Sequence, residues 1–442
     1  MDRRRFVTAM AGASALPAIT PSPVYAADAI HRLLDASRVA NDRIVPDRIG
    51  SAEQLASDED FWEPIQRAFE LDRTWINLNN GGCSPAPAHV MAKLERDLRF
   101  SNELPVIHMW QTLEPRIEVV RRELAQEFGC DPEEMAITRN ASESLITLIY
   151  GIDLKRGDEV LISNQNYGRM VNAWKQRAAR EGIVIKEISF PVPCTDPQQI
   201  VDAFAAGITS KTRVMEITHI TNLTGQILPV KELVAMAKAR GVETFVDGAH
   251  AFAQFPFTRD ELGCDYYGTS LHKWLTAPIG TGFLYVRREK IPTIWPLMAQ
   301  NPGQEKDIRK YEEIGTHPAA NHNAVAVALA FHRTIGAERK AARLRFLRDR
   351  WAKRLIAEGK GRVRVLTPLD SKWGGGIGFI AVDGLDNEKL GNWLMSKYRV
   401  VQTPISHAEF KGIRITPNVY STLDEIDRFS ELVMQAMKVG IA

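Results

Sequence analysis

The stretch Thr-Phe-Val-Asp-Gly-Ala-His at residues 244–250 decides the fold, together with Thr-Ser-Leu-His-Lys-Trp at residues 269–274. Each is predicted to be the end of an apolar strand that runs into polar residues, where a loop begins. The first stretch contributes a carboxylate, Asp247, and the second an amine, Lys273, beside hydroxyl and imidazole groups. Because ligands of parallel sheets bind beyond the carboxyl ends of the strands, both groups are expected at one site.

The two groups together indicate a particular chemistry. A buried lysine with a lowered pKa can form a Schiff base, and an aspartate can keep a pyridine nitrogen protonated. Pyridoxal 5'-phosphate (PLP) enzymes need both groups, because the protonated ring stabilises a carbanion at the substrate's Cα. Either residue alone would be interpreted as a surface ion-pair partner. The pair predicts PLP as the cofactor.

Residues 130–290 alternate short apolar strands with amphipathic helices. This alternation predicts βαβ units, and therefore an α/β fold with a mostly parallel seven-stranded sheet sandwiched by helices. Beyond residue 320, two long helices, short strands, a helix over residues 387–398 and a final helix predict a small C-terminal α+β domain that closes over the cofactor. The strand candidates are residues 135–138, 159–163, 183–188, 213–218, 243–246, 266–269 and 282–286.

Polar clusters follow five of these strands, at the edge where such sheets bind ligands. The cluster at Asn140 runs into a helix whose free N–H groups and dipole favour a phosphate, although an ordinary capped helix has the same pattern. Tyr167 is suited to stacking on a pyridine ring, with simple packing as the alternative. The clusters are Asn140–Ser142, Asn164–Tyr167, His219–Asn222, Asp247–His250 and Ser270–Lys273.

The first 26 residues predict a targeting segment. Arg3-Arg4-Arg5-Phe6 precedes a mildly apolar stretch, and Val24-Tyr25-Ala26 is suited to signal peptidase. The paired arginines resemble a twin-arginine export signal, a route that carries folded proteins already loaded with cofactor. We therefore expect export to the periplasm by the twin-arginine machinery. The alternative is a cytoplasmic protein with a basic N-terminal tail.

The composition is that of an ordinary globular enzyme. The chain has 442 residues, of which 45% are hydrophobic and 25% charged. Its four cysteines form no CxxC pair, so neither a metal site nor a disulfide framework is indicated. The sequence contains no apolar run of about 18 residues, so no membrane span is expected in the mature form. No basic block indicates nucleic-acid binding.

The motifs, taken in order, resemble the class V aminotransferase family of fold-type I PLP enzymes over residues 75–440. Within it, the chain is most similar to the isopenicillin N epimerase-like branch. With the N-terminal signal, the chain divides into a signal peptide (1–26), an N-terminal arm (27–75), a large PLP-binding domain (76–315) and a small C-terminal domain (316–442). The matching segments are 140–143, Tyr167, 218–222, 247–250, 270–274, 313–316 and 412–426.

The resemblance implies a role for each matching residue. Lys273 would form the Schiff base and then move the Cα proton, and Asp247 would pair with the pyridine nitrogen. His250 and Asn222 would lie near the 3-hydroxyl of the ring, with Asn222 also near the substrate. Arg414 would bind the substrate's α-carboxylate through two parallel hydrogen bonds. The phosphate ligands would be Ala141, Ser142, Ser270, His272 and, from the neighbouring subunit, Thr316.

Thr316 acting across subunits implies a homodimer with shared active sites. The chain also departs from the family pattern in two places. Residues 401–411 include His407 but no cysteine, so persulfide-forming cysteine desulfurase chemistry is not expected. His317 follows Thr316 where many epimerase-like members would have an arginine, which leaves recognition of a distal substrate acid open. Additional candidates for the substrate pocket are His108, Trp110, His317 and His322.

The sequence thus predicts a PLP enzyme acting at the α-amino group or Cα of an amino acid or modified peptide. An isopenicillin N epimerase-like reaction is the first interpretation. A β-elimination (C–S) lyase or an aminotransferase stays open, because all these reactions pass through the same carbanion. A third interpretation is a PLP-binding protein without turnover. The complete set of Lys273, Asp247 and Arg414 argues against it.

Overall fold

The computed structural model describes residues 44–441, so the predicted signal peptide and the first part of the predicted arm lie outside the described residues. The strands are β1 (Ile76–Asn77), β2 (Met135–Thr138), β3 (Glu159–Ser163), β4 (Val184–Ile188), β5 (Thr212–Thr218), β6 (Glu243–Asp247), β7 (Tyr266–Ser270), β8 (Gly282–Val286), β9 (Val363–Val365), β10 (Gly378–Val382), β11 (Val400–Val401), β12 (Thr403–Ser406) and β13 (Lys411–Ile415).

Helices occupy most of the intervening chain, with short 3-10 and π-helical turns between some of them. The helices are α1 (Ala52–Leu55), α2 (Glu59–Arg67), α3 (Ala88–Glu103), α4 (Pro105–Ile107), α5 (Ile117–Phe128), α6 (Ala141–Gly151), α7 (Gly168–Glu181), α8 (Pro197–Gly207), α9 (Val230–Lys238), α10 (Arg259–Leu262), α11 (Ala320–Ile335), α12 (Ala337–Glu358), α13 (Asn387–Tyr398) and α14 (Leu423–Val439). Over residues 44–441, none of these helices is long and apolar enough to cross a lipid bilayer.

A seven-stranded sheet forms the centre of the large domain, with the order β2-β8-β7-β6-β5-β3-β4. The pairs among β3 to β7 are parallel, and only β8 runs antiparallel to both of its neighbours. The prediction of a mostly parallel seven-stranded sheet is confirmed. The direction of β8 was not predictable, because a strand buried on both faces has the same apolar composition in either direction.

Helices cover both faces of this sheet, as the alternating pattern predicts. Helices α6 and α7 cover one face, where their apolar side chains pack on alternate residues of β3, β5, β6 and β7. Helices α5, α8, α9 and α11 cover the other face. The buried contacts under α6 and α7 include Leu145, Leu148, Met170 and Trp174 against Val160, Val214, Phe245 and Tyr266.

The C-terminal part forms a four-stranded antiparallel sheet of order β12-β13-β10-β9, packed against α12, α13 and α14. This agrees with the predicted small α+β domain. Helix α11 is buried in the core of the large domain, whereas the predicted domain division places it after residue 316; that boundary stays a prediction. Strand β1 pairs in parallel with β11, which ties the start of the large domain to the small one.

Candidate active site

A cavity of about 300 Å³ lies at the carboxyl ends of β5, β6 and β7, beside the N-terminal ends of α6 and α7. Nine of the eleven predicted site residues line it, so the strand ends singled out in the sequence do meet at one place. Those nine residues are Ala141, Ser142, Tyr167, Asn222, Asp247, His250, Ser270, His272 and Lys273.

Lys273 contacts a histidine inside this cavity. Its Nζ lies 3.2 Å from Nε2 of His250. Burial lowers the pKa of Lys273 to about 8, although the charge of Asp247 raises it. Burial also lowers the pKa of His250 well below its ordinary value, so the imidazole is neutral and Nε2 can accept a hydrogen bond. An amine with this pKa serves as nucleophile and base near neutral pH.

Asp247 ends β6 and is almost completely buried. The backbone N–H of Ala249 donates to its Oδ1 at 3.0 Å. Burial raises the pKa of the Asp247 carboxyl, against the opposing effects of this hydrogen bond and of the Lys273 charge. A protonated ring nitrogen at this carboxyl would favour its ionised form, because an opposite charge nearby lowers a carboxyl pKa.

The N-terminus of α6 provides an anion site. Asn140 caps the helix, with its Oδ1 accepting the N–H of Glu143 at 2.9 Å. The N–H of Ala141 donates to Ser270 Oγ at 2.9 Å, which joins the helix to the end of β7. The N–H of Ser142 has no partner within the helix, as is usual in a first turn. This end of the helix dipole is positive and suits a phosphate.

Arg414 lies on β13, and three hydrogen bonds, one of them to the cavity residue Asn222, fix its guanidinium. It donates to the carbonyl of Asn222 at 2.8 Å, to Oδ1 of Asn79 at 2.8 Å and to Oγ1 of Thr403 at 3.1 Å. Burial lowers the pKa of Arg414 to about 10, so it remains charged at neutral pH. Its charge contributes to lowering the pKa of Lys273.

Thr316 borders a different cavity of its own chain, about 540 Å³ in volume, and so do the candidates Trp110, His317 and His322. The rings of His317 and His322 are 5.5 Å apart. His108 instead stacks on Phe100, with ring centroids 3.8 Å apart. Within a single chain, none of these residues belongs to the lining of the Lys273 cavity.

Several buried polar atoms at the Lys273 cavity have no hydrogen-bond partner among the described residues. They are Oγ1 of Thr218, Oδ1 of Asn222, Nδ1 of His250 and Nε of Arg414. Buried polar atoms are normally paired, so unpaired ones that border a cavity are available to a polar ligand or to water. With the anion site at α6 and the carboxyl of Asp247, they match the phosphate, ring nitrogen and 3-hydroxyl of PLP. The residues present therefore fit this cofactor.

Sequence reasoning missed some residues of the site. Thr218, Arg169 and Met170 also line the cavity, and Asn79 and Thr403 fix Arg414. Thr218 belongs to the matching segment 218–222 but is assigned no role, although it directly precedes the polar cluster at 219–222 in the same strand end. Thr403 could not have been found, since its contact with Arg414 depends on the antiparallel pairing of β12 with β13.

The comparison with known proteins settles the family. The model of the family described as aminotransferase class-V matches residues 76–429, most of the chain. The chain belongs to this family. It is a PLP-dependent enzyme, and the predictions of the fold, of the cofactor and of an enzyme are confirmed.

Two curated relatives and one solved structure illustrate the relationship. The chain is 30% identical to the isopenicillin N epimerase of Streptomyces clavuligerus over 84% of this chain and 97% of the relative. It is 31% identical to the putative L-cysteine desulfhydrase 2 of Oryza sativa subsp. japonica over 49% of each chain. The structure of a C-DES mutant with glycine covalently linked to PLP superimposes with a TM-score of 0.71, at 23% identity, covering 81% of this chain and 95% of that one.

Proposed function

We propose that this class V enzyme moves the α-proton of an amino acid or a peptide-derived substrate, and that its net reaction is epimerisation at Cα. The observation that carries the proposal is the Lys273 amine, held 3.2 Å from the neutral ring of His250 in the cavity that Asp247 also lines. The 30% identity to an isopenicillin N epimerase, over nearly all of that relative, favours this reaction among those of the family.

The chain's own residues would divide the work as follows. PLP, when bound, supplies the electron sink for negative charge at Cα. Lys273 would take the α-proton, and epimerisation then requires that a proton return to the opposite face of Cα. The neutral His250 beside Lys273 can accept a hydrogen bond from its amine. Asp247 would keep the ring nitrogen protonated, and Arg414 would orient the substrate through its α-carboxylate. Tyr167, which lines the cavity, would cover one face of the ring.

The proposal is tested with a panel of L- and D-amino acids and acidic peptides, incubated with the holoenzyme in D₂O. Epimerisation predicts deuterium at Cα together with inverted configuration, and without release of ammonia or keto acid. Release of a keto acid in step with loss of the amino group would instead show transamination and would contradict the proposal.

A C–S lyase is the second candidate, because one relative is named a putative L-cysteine desulfhydrase and is 31% identical over half of each chain. Residues 401–411 lack the cysteine of persulfide-forming enzymes. His407 in that stretch stacks on Phe410 and lies 3.0 Å from the carbonyl of Asn164. A lyase would release ammonia and sulfide from cysteine without retained deuterated amino acid, so the same panel distinguishes it.

We also propose that two copies of the chain share their active sites. Thr316 is exposed and lies outside the Lys273 cavity of its own chain. Its position is consistent with a hydroxyl that reaches the phosphate of a second copy.

Export by the twin-arginine route is likewise our proposal. It rests on Arg3, Arg4 and Phe6 and on the small residues before position 27. Replacing both Arg3 and Arg4 with lysine should leave folded, PLP-loaded, uncleaved protein in the cytoplasm. The unaltered protein should appear outside the inner membrane and begin near Ala27. If both remain in the cytoplasm with an intact N-terminus, the segment is only a basic tail.

A further inference from the structure

Glu216 is a buried residue of β5, two positions before the cavity residue Thr218. The proposed reaction does not use its carboxyl group. Glu216 lies in the middle of β5 and is fully buried. In the sheet register Glu216 lies beside Phe245 of β6. Two positions further along, Thr218 lies beside Asp247, and both of these residues line the cavity. Burial raises the pKa of Glu216 to about 7. A buried carboxyl is costly unless its oxygens are hydrogen-bonded, so its contacts are informative.

Both oxygens of Glu216 accept hydrogen bonds from residues near or on α7. Asn166 donates its Nδ2 to Oε1 at 3.0 Å, and Trp174 donates its Nε1 to Oε2. Asn166 is itself fixed, because its Oδ1 accepts the N–H of Ser163 at 2.9 Å and the hydroxyl of Ser163 at 2.8 Å. The carboxyl therefore ties the turn after β3 and the body of α7 to the central strand β5.

These two contacts lie on either side of Tyr167. Asn166 directly precedes Tyr167, and Trp174 follows it by seven residues, or about two helical turns. Tyr167 occupies the N-cap position of α7, and no side chain caps this helix end. Tyr167 is 41% exposed, with its ring bordering the cavity. Through these two hydrogen bonds, Glu216 fixes the segment that contains Tyr167 to strand β5.

We propose that Glu216 is a positioning residue that fixes Tyr167 at the cavity, where Tyr167 covers the cofactor ring. This inference rests on the role given to Tyr167 in the proposed function. The family resemblance assigns no role to Glu216, because the residue lies on β5 before the matching segment 218–222 and in none of the other matching segments.

The test uses Glu216→Gln, measured first on the apoenzyme by titration with PLP. Glutamine has nearly the same shape, but its NH₂ group replaces one carboxylate oxygen, so either Asn166 or Trp174 faces a donor and loses its acceptor. We expect the dissociation constant for PLP to rise roughly fivefold, the effect of about one lost hydrogen bond. The turnover number should fall with it. An unchanged dissociation constant and turnover number would overturn the inference.

A matched control is Glu159→Gln. Glu159 is also a buried carboxyl of the sheet, and it accepts the hydroxyl of Thr209 at 2.5 Å. It starts β3, at the opposite end of that strand from the cavity. This variant should lower the unfolding temperature without changing the affinity for PLP. An equal loss of affinity in both variants would mean that Glu216 acts only through general stability, and would overturn the inference.

A double-mutant cycle separates positioning from any other role. In a Tyr167→Ala background, Glu216→Gln should change neither the affinity for PLP nor turnover any further. Full additivity would overturn the inference while leaving the role of Tyr167 intact. If Tyr167→Ala alone has no effect, the proposed role of Tyr167 fails, and the inference fails with it. Should Glu216→Gln not fold, Asn166→Ala breaks the same link and is put through the same cycle.

Discussion

The amine of Lys273 lies 3.2 Å from Nε2 of His250, and the two residues come from adjacent strand ends of one parallel pair. Burial disfavours the charged form of both side chains, so the pKa values of Lys273 and His250 are both lowered in the apoenzyme. The charge of Arg414 lowers both pKa values further. This arrangement brings deprotonation of the Lys273 amine, which yields the form needed for Schiff-base chemistry, closer to neutral pH.

The lowered pKa of Lys273 predicts a pH-dependent stability of the apoenzyme. In the folded protein this pKa is about 8, against an ordinary value of 10.5. Between these values the unfolded chain binds more protons than the folded one, so the free energy of unfolding rises with pH. Lys273→Met should therefore be more stable than the unaltered apoenzyme below pH 8, by at most about 3 kcal/mol. The difference should close as pH approaches 10.5.

The measurement is chemical denaturation of both apoenzymes across this pH range. The buried Lys340, whose pKa is also lowered, to about 7, is present in both proteins and so cancels in the difference. A difference that stays constant or widens with rising pH would show that Lys273 carries no burial penalty.

Asp247→Asn should retain PLP but lose catalysis by several orders of magnitude. A neutral amide cannot keep the ring nitrogen protonated, so the electron sink is weakened. The N–H of Ala249 can still donate to the amide oxygen, and the local structure should persist. The rate of α-proton exchange into D₂O measures the effect, and an unchanged rate would remove Asp247 from the mechanism.

Arg414→Lys should raise KM for the substrate about tenfold or more, because lysine cannot present two parallel donors to a carboxylate. Arg348→Lys is the control, since Arg348 is also buried but donates to backbone carbonyls, including that of Gly375 at 2.7 Å. The control should lower stability and leave KM unchanged. Equal KM values for Arg414→Lys and the unaltered enzyme would mean that the carboxylate binds elsewhere.

Thr316 predicts complementation between two inactive or weakened variants. If Thr316 serves the site of the other subunit, a mixed dimer of Lys273→Ala and Thr316→Ala contains one site with both changes and one with neither. Mixing and refolding the two variants should then restore about half of the unaltered activity in each mixed dimer. If Thr316 acts within its own chain, or if the protein is a monomer, no activity beyond that of the Thr316→Ala protein should return.

The sequence predicted the large domain well because its signals are local. Each strand that ends at the cavity carries its polar residues directly after an apolar run, as at Asp247 and Lys273. Helix ends were equally local, and the helix predicted for residues 387–398 has those bounds in the structure.

Features that depend on distant pairing were not predictable. The antiparallel direction of β8 follows from its position between β2 and β7, and its sequence does not encode it. In the sequence, Glu216 is an isolated polar residue in an apolar strand. Its contacts with Asn166 and Trp174 exist only because α7 packs on β5. The contacts of Arg414 with Asn79 need strand β13 to lie beside the turn after β1, more than 300 residues earlier in the chain.

The central claim is that Lys273 binds the cofactor covalently at the carboxyl ends of the parallel strands. Reduction of the holoenzyme with borohydride, followed by peptide mapping, tests it most directly. The account predicts one pyridoxyl group per chain, on the peptide that contains Lys273, and none in a folded Lys273→Ala protein. A label on any other lysine, or an unchanged label in that variant, would contradict it.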